Sequence, residues 1–276
     1  MVKTVTIFND DFSTTLTDLK GLKFLDAKEE GVEVIPNLVE TKGRDGVRIG
    51  RASFGTFKLV LRFFYRGTDT QDYKLFKHKL RGLLFRRDPF FIVHSDMPAI
   101  KYAVYCEENA ITDIAHKYGE FEITFVVYKG YSESLHETNQ YDKTSDKWQF
   151  GNGLLVNDDI KYKHNSTSFR IFNGSSDTIA PFPHRHKLII KINVNAPNGF
   201  KLHNRTTGDV FEYKKAIKSN QQLIINGVYP TINGKRVGIN TNHEWLSLAP
   251  GYNDIEITGT DITQSTVEFI FPFIYR

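Results

Sequence analysis

In the stretch TFKLVLRFFYRG, Phe57, Leu59, Leu61, Phe63 and Tyr65 alternate with Lys58, Arg62 and Arg66. A period of two puts the first set on one face of a strand and the cations on the other, so this segment has to lie in a sheet with one face covered. The same alternation returns in PFFIVHS, in AIKYAVYCEE and in GEFEITFVVYK, where Phe121, Ile123, Phe125 and Val127 share a face. Twenty-two Phe and 13 Tyr against two Met support this reading, because aromatic side chains fit a pleated, half-buried surface. One segment breaks the pattern. Tyr73, Phe76, Leu80, Leu83 and Leu84 recur at helical spacing, which predicts a helix over about 69–86 that buries Phe76, Leu80 and Leu83. Thr68 followed by Gln71 matches a capping box at its start, and Asp88-Pro89 ends it.

These elements make residues 1–130 a β domain with one principal helix. Residues 131–147, including SESLHETNQYDKTSD, are polar and without apolar periodicity, and they read as a linker. Residues 148–276 are strand and turn almost throughout. KLIIKINV alternates, KLHNRTTGDVFEYK makes a hairpin about Thr207-Gly208-Asp209, and STVEFIFPFIYR adds a further strand, together predicting an antiparallel sandwich. A length of 276 residues suits two such domains.

Several function classes lose support. No apolar run approaches the roughly 20 residues of a membrane span, so a soluble folded chain without membrane contact is expected. The N-terminus shows no signal-peptide pattern, so synthesis in a cytoplasm is expected. The sequons at Asn165, Asn173 and Asn204 then read as turn-rich loops. The only cysteine, Cys106, has no partner for a disulfide and lies in an alternating run, which reads as a strand residue rather than a nucleophile. A formal charge of +4 with Lys and Arg scattered along the chain does not indicate nucleic-acid binding.

Catalytic patterns are equally scarce. Glu29-Glu30, Glu107-Glu108 and Asp158-Asp159 are adjacent pairs, which point to opposite faces of a strand and cannot share a substrate. His184 and His186 in PFPHRHK could chelate a metal from one face, but no third ligand accompanies them. Phosphate-binding loops, nucleophile elbows and zinc-protease motifs are missing, so no enzyme, cofactor or metal is expected. Gly43-Arg44-Asp45-Gly46 reads as a turn between strands, and Lys58, Arg62 and Arg66 as a solvated outer face.

Taken in order, the Arg44-Asp45-Gly46 turn, TFKLVLRFFYRGTD, the amphipathic helix, PFFIVHSDMPAIKYAVY and GEFEITFVVYKGY resemble the distal tail (Dit) proteins of long, non-contractile-tailed bacteriophages. HNRTTGDVFEY, QQLIINGVYPTINGKRVGI and WLSLAPGYNDIEI resemble the galectin-like module of the same family, so the likeness spans essentially the whole chain. The resemblance implies an N-terminal split β-barrel with a helix that assembles into a six-membered ring, and a galectin-like sandwich projecting from it. It implies a virion location at the tail tip and a hub role. The implied partners are further copies of the chain, the major tail tube protein, the tail-associated tip protein and receptor-binding proteins, with DNA only in passage through the channel. No long insertion is visible of the kind that serves several members as an arm for receptor-binding proteins.

The stretch HEWLSLAPGYNDIEITG then reads as a corner of the sandwich. Pro250 fixes φ, Gly251 permits a positive φ and Asn253 caps the turn, with Leu246 and Leu248 ending one strand and Ile255 and Ile257 starting the next. Trp245 is expected to be mostly buried. Trp245 and Tyr252 are the candidate carbohydrate contacts, since an aromatic ring can stack on a sugar. A carbohydrate-binding module for host cell-wall sugar is therefore the alternative to a structural hub.

Overall fold

The computed structural model describes residues 3–115, 118–142, 148 and 160–276, with the side chains of 108–115 excepted. Asp158-Asp159 and most of 143–159 lie outside the described residues. The chain divides into compact units at 1–133 and 134–276.

The first unit runs β1 (Val5–Phe8), β2 (Ser13–Thr15), β3 (Leu22–Glu30), β4 (Val34–Ile35), β5 (Leu38–Glu40), β6 (Val47–Ile49), β7 (Ser53–Phe54), β8 (Phe57–Arg66), α1 (Thr70–Leu84), β9 (Phe90–His94), β10 (Ile100–Ala115) and β11 (Tyr118–Val127), with β12 (Ser132–Ser134) at its boundary. Its main sheet has the order β2-β1-β9-β10-β11-β8-β3. The outer members of this path, β2 and β3, do not pair with each other, so no closed barrel forms among the described residues. The alternation in β8 is realised in full: Phe57, Leu59, Leu61, Phe63 and Tyr65 are buried. β8 sets Phe63 opposite Phe121 of β11, with their rings stacked at 5.7 Å. The other face is charged and neutralised: Lys58 pairs with Glu107 at 2.7 Å, and Arg62 lies 3.3 Å from Asp26 and 3.7 Å from Glu120.

Helix α1 is two residues shorter at its C-terminal end than its spacing predicts, and its cap lies one residue later. Asp69, not Thr68, is the N-cap, accepting from the backbone N–H groups of Gln71 and Asp72 at 2.8 Å. Asp72 reaches back instead, accepting from the N–H and hydroxyl of Thr68 at 2.8 Å, and these bonds hold its carboxyl below the usual range. A carboxylate one position further on accepts two amides at once, which a threonine hydroxyl does less well. The helix buries Tyr73, Phe76, Leu80 and Leu84. Leu83 is only half-buried, because the stripe drifts toward Leu84.

The second unit runs β13 (Lys163–His164), β14 (Ser168–Asn173), β15 (Ile189–Asn195), β16 (Phe200–Asn204), β17 (Val210–Tyr213), β18 (Leu223–Asn226), β19 (Tyr229–Ile232), β20 (Lys235–Arg236), β21 (Gly251–Thr258), β22 (Thr263–Ile270) and β23 (Ile274–Tyr275). Two antiparallel sheets result, β13-β22-β15-β18-β19-β20 and β14-β21-β16-β17. Phe169 of the second meets Phe269 of the first at 6.2 Å, so the sheets face each other over an aromatic core. The polar segment expected as a linker is largely built in. Ser132, Glu133, Ser134 and Thr138 are buried, and the Thr138 hydroxyl donates to the Phe269 carbonyl at 2.8 Å. Polar side chains here satisfy backbone groups that would otherwise be orphaned, which composition alone does not distinguish from solvation.

Candidate interaction surface

Between Glu30 and Phe57 the chain leaves the main sheet as a narrow ribbon. β4 pairs with β7 and β5 with β6, setting Val34 opposite Phe54 and Leu38 opposite Ile49. Its tip is the glycine-flanked turn read from the sequence: Gly43 and Gly46 adopt φ of 83° and 79°, and the Arg44 N–H donates to the Thr41 carbonyl at 3.1 Å. The ribbon is apolar and uncovered. Eight of the fifteen exposed large apolar residues described fall between Val32 and Phe54, among them Val34 at 57%, Leu38 at 52% and Ile49 at 72%. A two-stranded ribbon is marginal in water by itself, and apolar exposure this concentrated marks a surface that is covered in use. Sequence reasoning stopped at the turn. The usable signal was apolar alternation on both sides of it, at Val32 and Val34 and at Val47 and Ile49.

The candidate sugar contacts do not converge. Trp245 is half-buried, ahead of buried Leu246 and Leu248, and it packs on exposed Phe182 at 4.9 Å beside a cavity of about 190 Å³ lined by Pro230, His243 and Glu244. Tyr252 lines a different cleft, where Arg170 lies over its ring at 4.6 Å and Phe172 meets it at 5.1 Å. The intervening corner is as the sequence reads. Gly251 has φ of 85°, and Asn253, fully buried, donates to the Ala249 carbonyl at 2.8 Å while accepting from the Ala249 N–H at 2.9 Å. Two of the sequon residues, Asn173 and Asn204, are buried hydrogen-bond partners in this region: Asn173 donates to the Leu248 carbonyl and Asn204 to the Ser247 carbonyl.

The histidine pair is structural in its geometry. His184 and His186 stack at 5.5 Å, and no group of metal-ligating residues forms among the described residues. The Nδ1 of His186 lies 3.1 Å from the Ala180 N–H nitrogen, from which it accepts when unprotonated, and 3.0 Å from the Thr178 carbonyl, to which it donates when protonated. Burial, with smaller repulsion from His184 and Arg276, lowers its pKa to about 4. The sign follows directly: an unfolded chain takes up this proton near pH 6.5 and the folded one near 4, so the stabilisation is complete above pH 6.5 and is lost as pH falls toward 4. Its share of the loss is about 3 kcal/mol, measured by urea unfolding at pH 7 and pH 4, and His186→Gln is expected to reduce the difference by about that much while the contributions of His94, Asp72 and Asp177 remain. Burial lowers the pKa of His94 in the same direction. Burial also pushes the Cys106 thiol up to about 12, so it is not a nucleophile at neutral pH. Of the paired carboxylates that are described, Glu29 accepts from the Tyr102 hydroxyl at 2.6 Å, Glu30 pairs with Lys28 at 2.6 Å, and Glu107 pairs with Lys58.

Comparison with known proteins adds two findings. Residues 10–127 match the family described as the phage tail protein RIFT-related domain. The whole chain superposes on the crystal structure of the SPP1 Dit (gp 19.1) protein, described as a paradigm of the hub adsorption apparatus in Gram-positive infecting phages. The TM-score is 0.68 at 14% identity, covering 98% of this chain and 99% of that one. A component of the phage p2 baseplate in its activated conformation with Sr aligns at a TM-score of 0.44 and 11% identity, over 99% of this chain and 98% of that one. By sequence, no curated protein matches the chain.

Proposed function

We propose, from the match of residues 10–127 to the phage tail RIFT-related domain and the likeness of the fold to that of the SPP1 Dit protein, that this chain is a phage tail protein acting as a ring-forming hub at the distal end of a long, non-contractile tail. Six copies close through the first unit and join the tail tube protein to the tail-associated tip protein and, through them or directly, to receptor-binding proteins. Its role is mechanical rather than catalytic. It is made in the host cytoplasm and works in the virion tail. The observation that carries this reading is the apolar ribbon of residues 32–54, which needs a covering surface that a neighbouring copy supplies.

Ile35 and Ile49 are exposed, so Ile35→Asp/Ile49→Asp is expected to leave the melting temperature nearly unchanged while converting the assembly to monomers in light scattering. An assembly of unchanged mass would remove the ribbon from the interface. Carbohydrate recognition by the second unit is the alternative, drawing on half-exposed Trp245 beside Phe182 and, at its separate cleft, on Tyr252. Saturable binding of host cell-wall polysaccharide, lost in a folded Trp245→Ala protein, would favour it.

A further inference from the structure

We propose that the cavity beside Trp245 binds one uncharged pyranose ring that carries an acetamido group, an N-acetylhexosamine. This rests on the carbohydrate reading of the second unit and is independent of ring closure through the first. Trp245 does not converge with Tyr252, but it does converge with its own sequence neighbours. His243, Glu244 and Trp245 line one cavity of about 190 Å³, whose wall also includes Phe211, Ile225 and Pro230, all buried. At about 30 Å³ per water this is room for about six waters, which suits a single sugar ring rather than a chain.

The segment is held on both sides and left open in the middle. The Thr241 hydroxyl donates to the Gly238 carbonyl at 2.8 Å, Asn242 bonds the Val210 carbonyl at 2.8 Å and the Glu212 N–H at 3.0 Å, and the Ser247 N–H donates to Asp209 at 2.8 Å. Between these anchors His243 is held at a φ of 61°, a conformation few residues other than glycine adopt. The exposed side chains of His243 and Glu244 take part in no hydrogen bond or ion pair among the described residues. Polar groups with unused bonding capacity at the mouth of an apolar cavity are what orients a small ligand.

The lining discriminates among ligands. It holds a carboxylate and, among the described residues, no lysine or arginine, which disfavours phosphates and acidic sugars. A peptide cannot add as a strand to β17, because the Lys214 N–H already donates to the Asn240 carbonyl and the Asn242 N–H to the Glu212 carbonyl. An apolar protein side chain would fill the floor but strip water from Glu244 and His243 without replacing it. An organic cation would satisfy Glu244 and leave His243 unused. A pyranose lays its C–H face on Trp245, donates hydroxyls to Glu244 and bonds His243, while the acetamido methyl enters the floor of Phe211, Ile225 and Pro230.

The test is ligand-observed NMR of the full chain titrated with N-acetylglucosamine and N-acetylgalactosamine, with glucose, galactose and choline for comparison. Saturable binding of an N-acetylhexosamine is expected, about tenfold tighter than the parent hexose. Glu244→Gln and His243→Ala, each checked for an unchanged melt, are expected to weaken it about tenfold. No saturation by either N-acetylhexosamine, or undiminished binding by both variants, would overturn the proposal. Tighter binding of choline would also overturn it and give the cavity to an organic cation. If the two variants still bind host cell-wall polysaccharide as the parent does and Tyr252→Ala does not, the carbohydrate reading stands and this cavity falls.

Discussion

Phe76→Ala is expected to lower the unfolding free energy by about 4 kcal/mol, through lost burial and the cavity left behind. Phe76 is 6% exposed, its ring lies parallel to Tyr65 at 3.7 Å with an interplanar angle of 5°, and it meets Phe121 at 6.2 Å. The site collapses poorly because Tyr65 is held from both sides: its ring stacks on Tyr73 at 5.7 Å and its hydroxyl donates to Asp72 at 3.3 Å. Leu75, next in sequence but 69% exposed, serves as the control, and its replacement by Ala is expected to change stability by less than about 0.5 kcal/mol. Urea unfolding of the two variants checks this. A Phe76→Ala loss below about 1 kcal/mol would mean that α1 is not seated on β8 and β11 as described.

Asn253→Leu is expected to be destabilising by about 3 kcal/mol despite similar volume, because it removes one side of several buried and part-buried hydrogen bonds. The Asn253 amide donates to the carbonyls of Ala249 and Gly251 at 2.8 and 3.2 Å, and its oxygen accepts from the Ala249 N–H and from Asn204 Nδ2 at 2.9 and 3.0 Å. Leucine supplies none of these, so the part-buried Ala249 N–H and carbonyl and the buried Asn204 amide lose their Asn253 partner. The corner joining Leu248 to β21 is then expected to loosen, seen as a lower melting temperature of the second unit. A neutral Asn253→Leu would show that the corner is held by strand pairing alone.

Much of the fold was legible because local alternation coincided with burial. β8 and β11 bury the faces their periodicity assigns, and α1 buries Phe76 and Leu80 as its spacing requires. The ribbon was not legible for a physical reason: alternation marks Val34, Leu38 and Ile49 as strand residues, but whether a second layer covers them depends on what other elements leave open. The same limit applies to Ser134, whose hydroxyl accepts from the Phe273 N–H at 2.9 Å across 139 residues. A segment of serine, glutamate and threonine looks like a linker until its long-range partners are known. Trp245 was expected inside and is half-exposed, since the neighbouring Phe182 packs on it without sealing it from solvent. Arg44-Asp45 and Gly251, by contrast, were legible because turn chemistry is local.

The hub reading is tested most directly by the mass and shape of the purified full-length chain, from light scattering and negative-stain images of the same sample. A closed ring of six copies of the 31.8 kDa chain is the expected result. A monomer at every concentration, or an open filament, would contradict it.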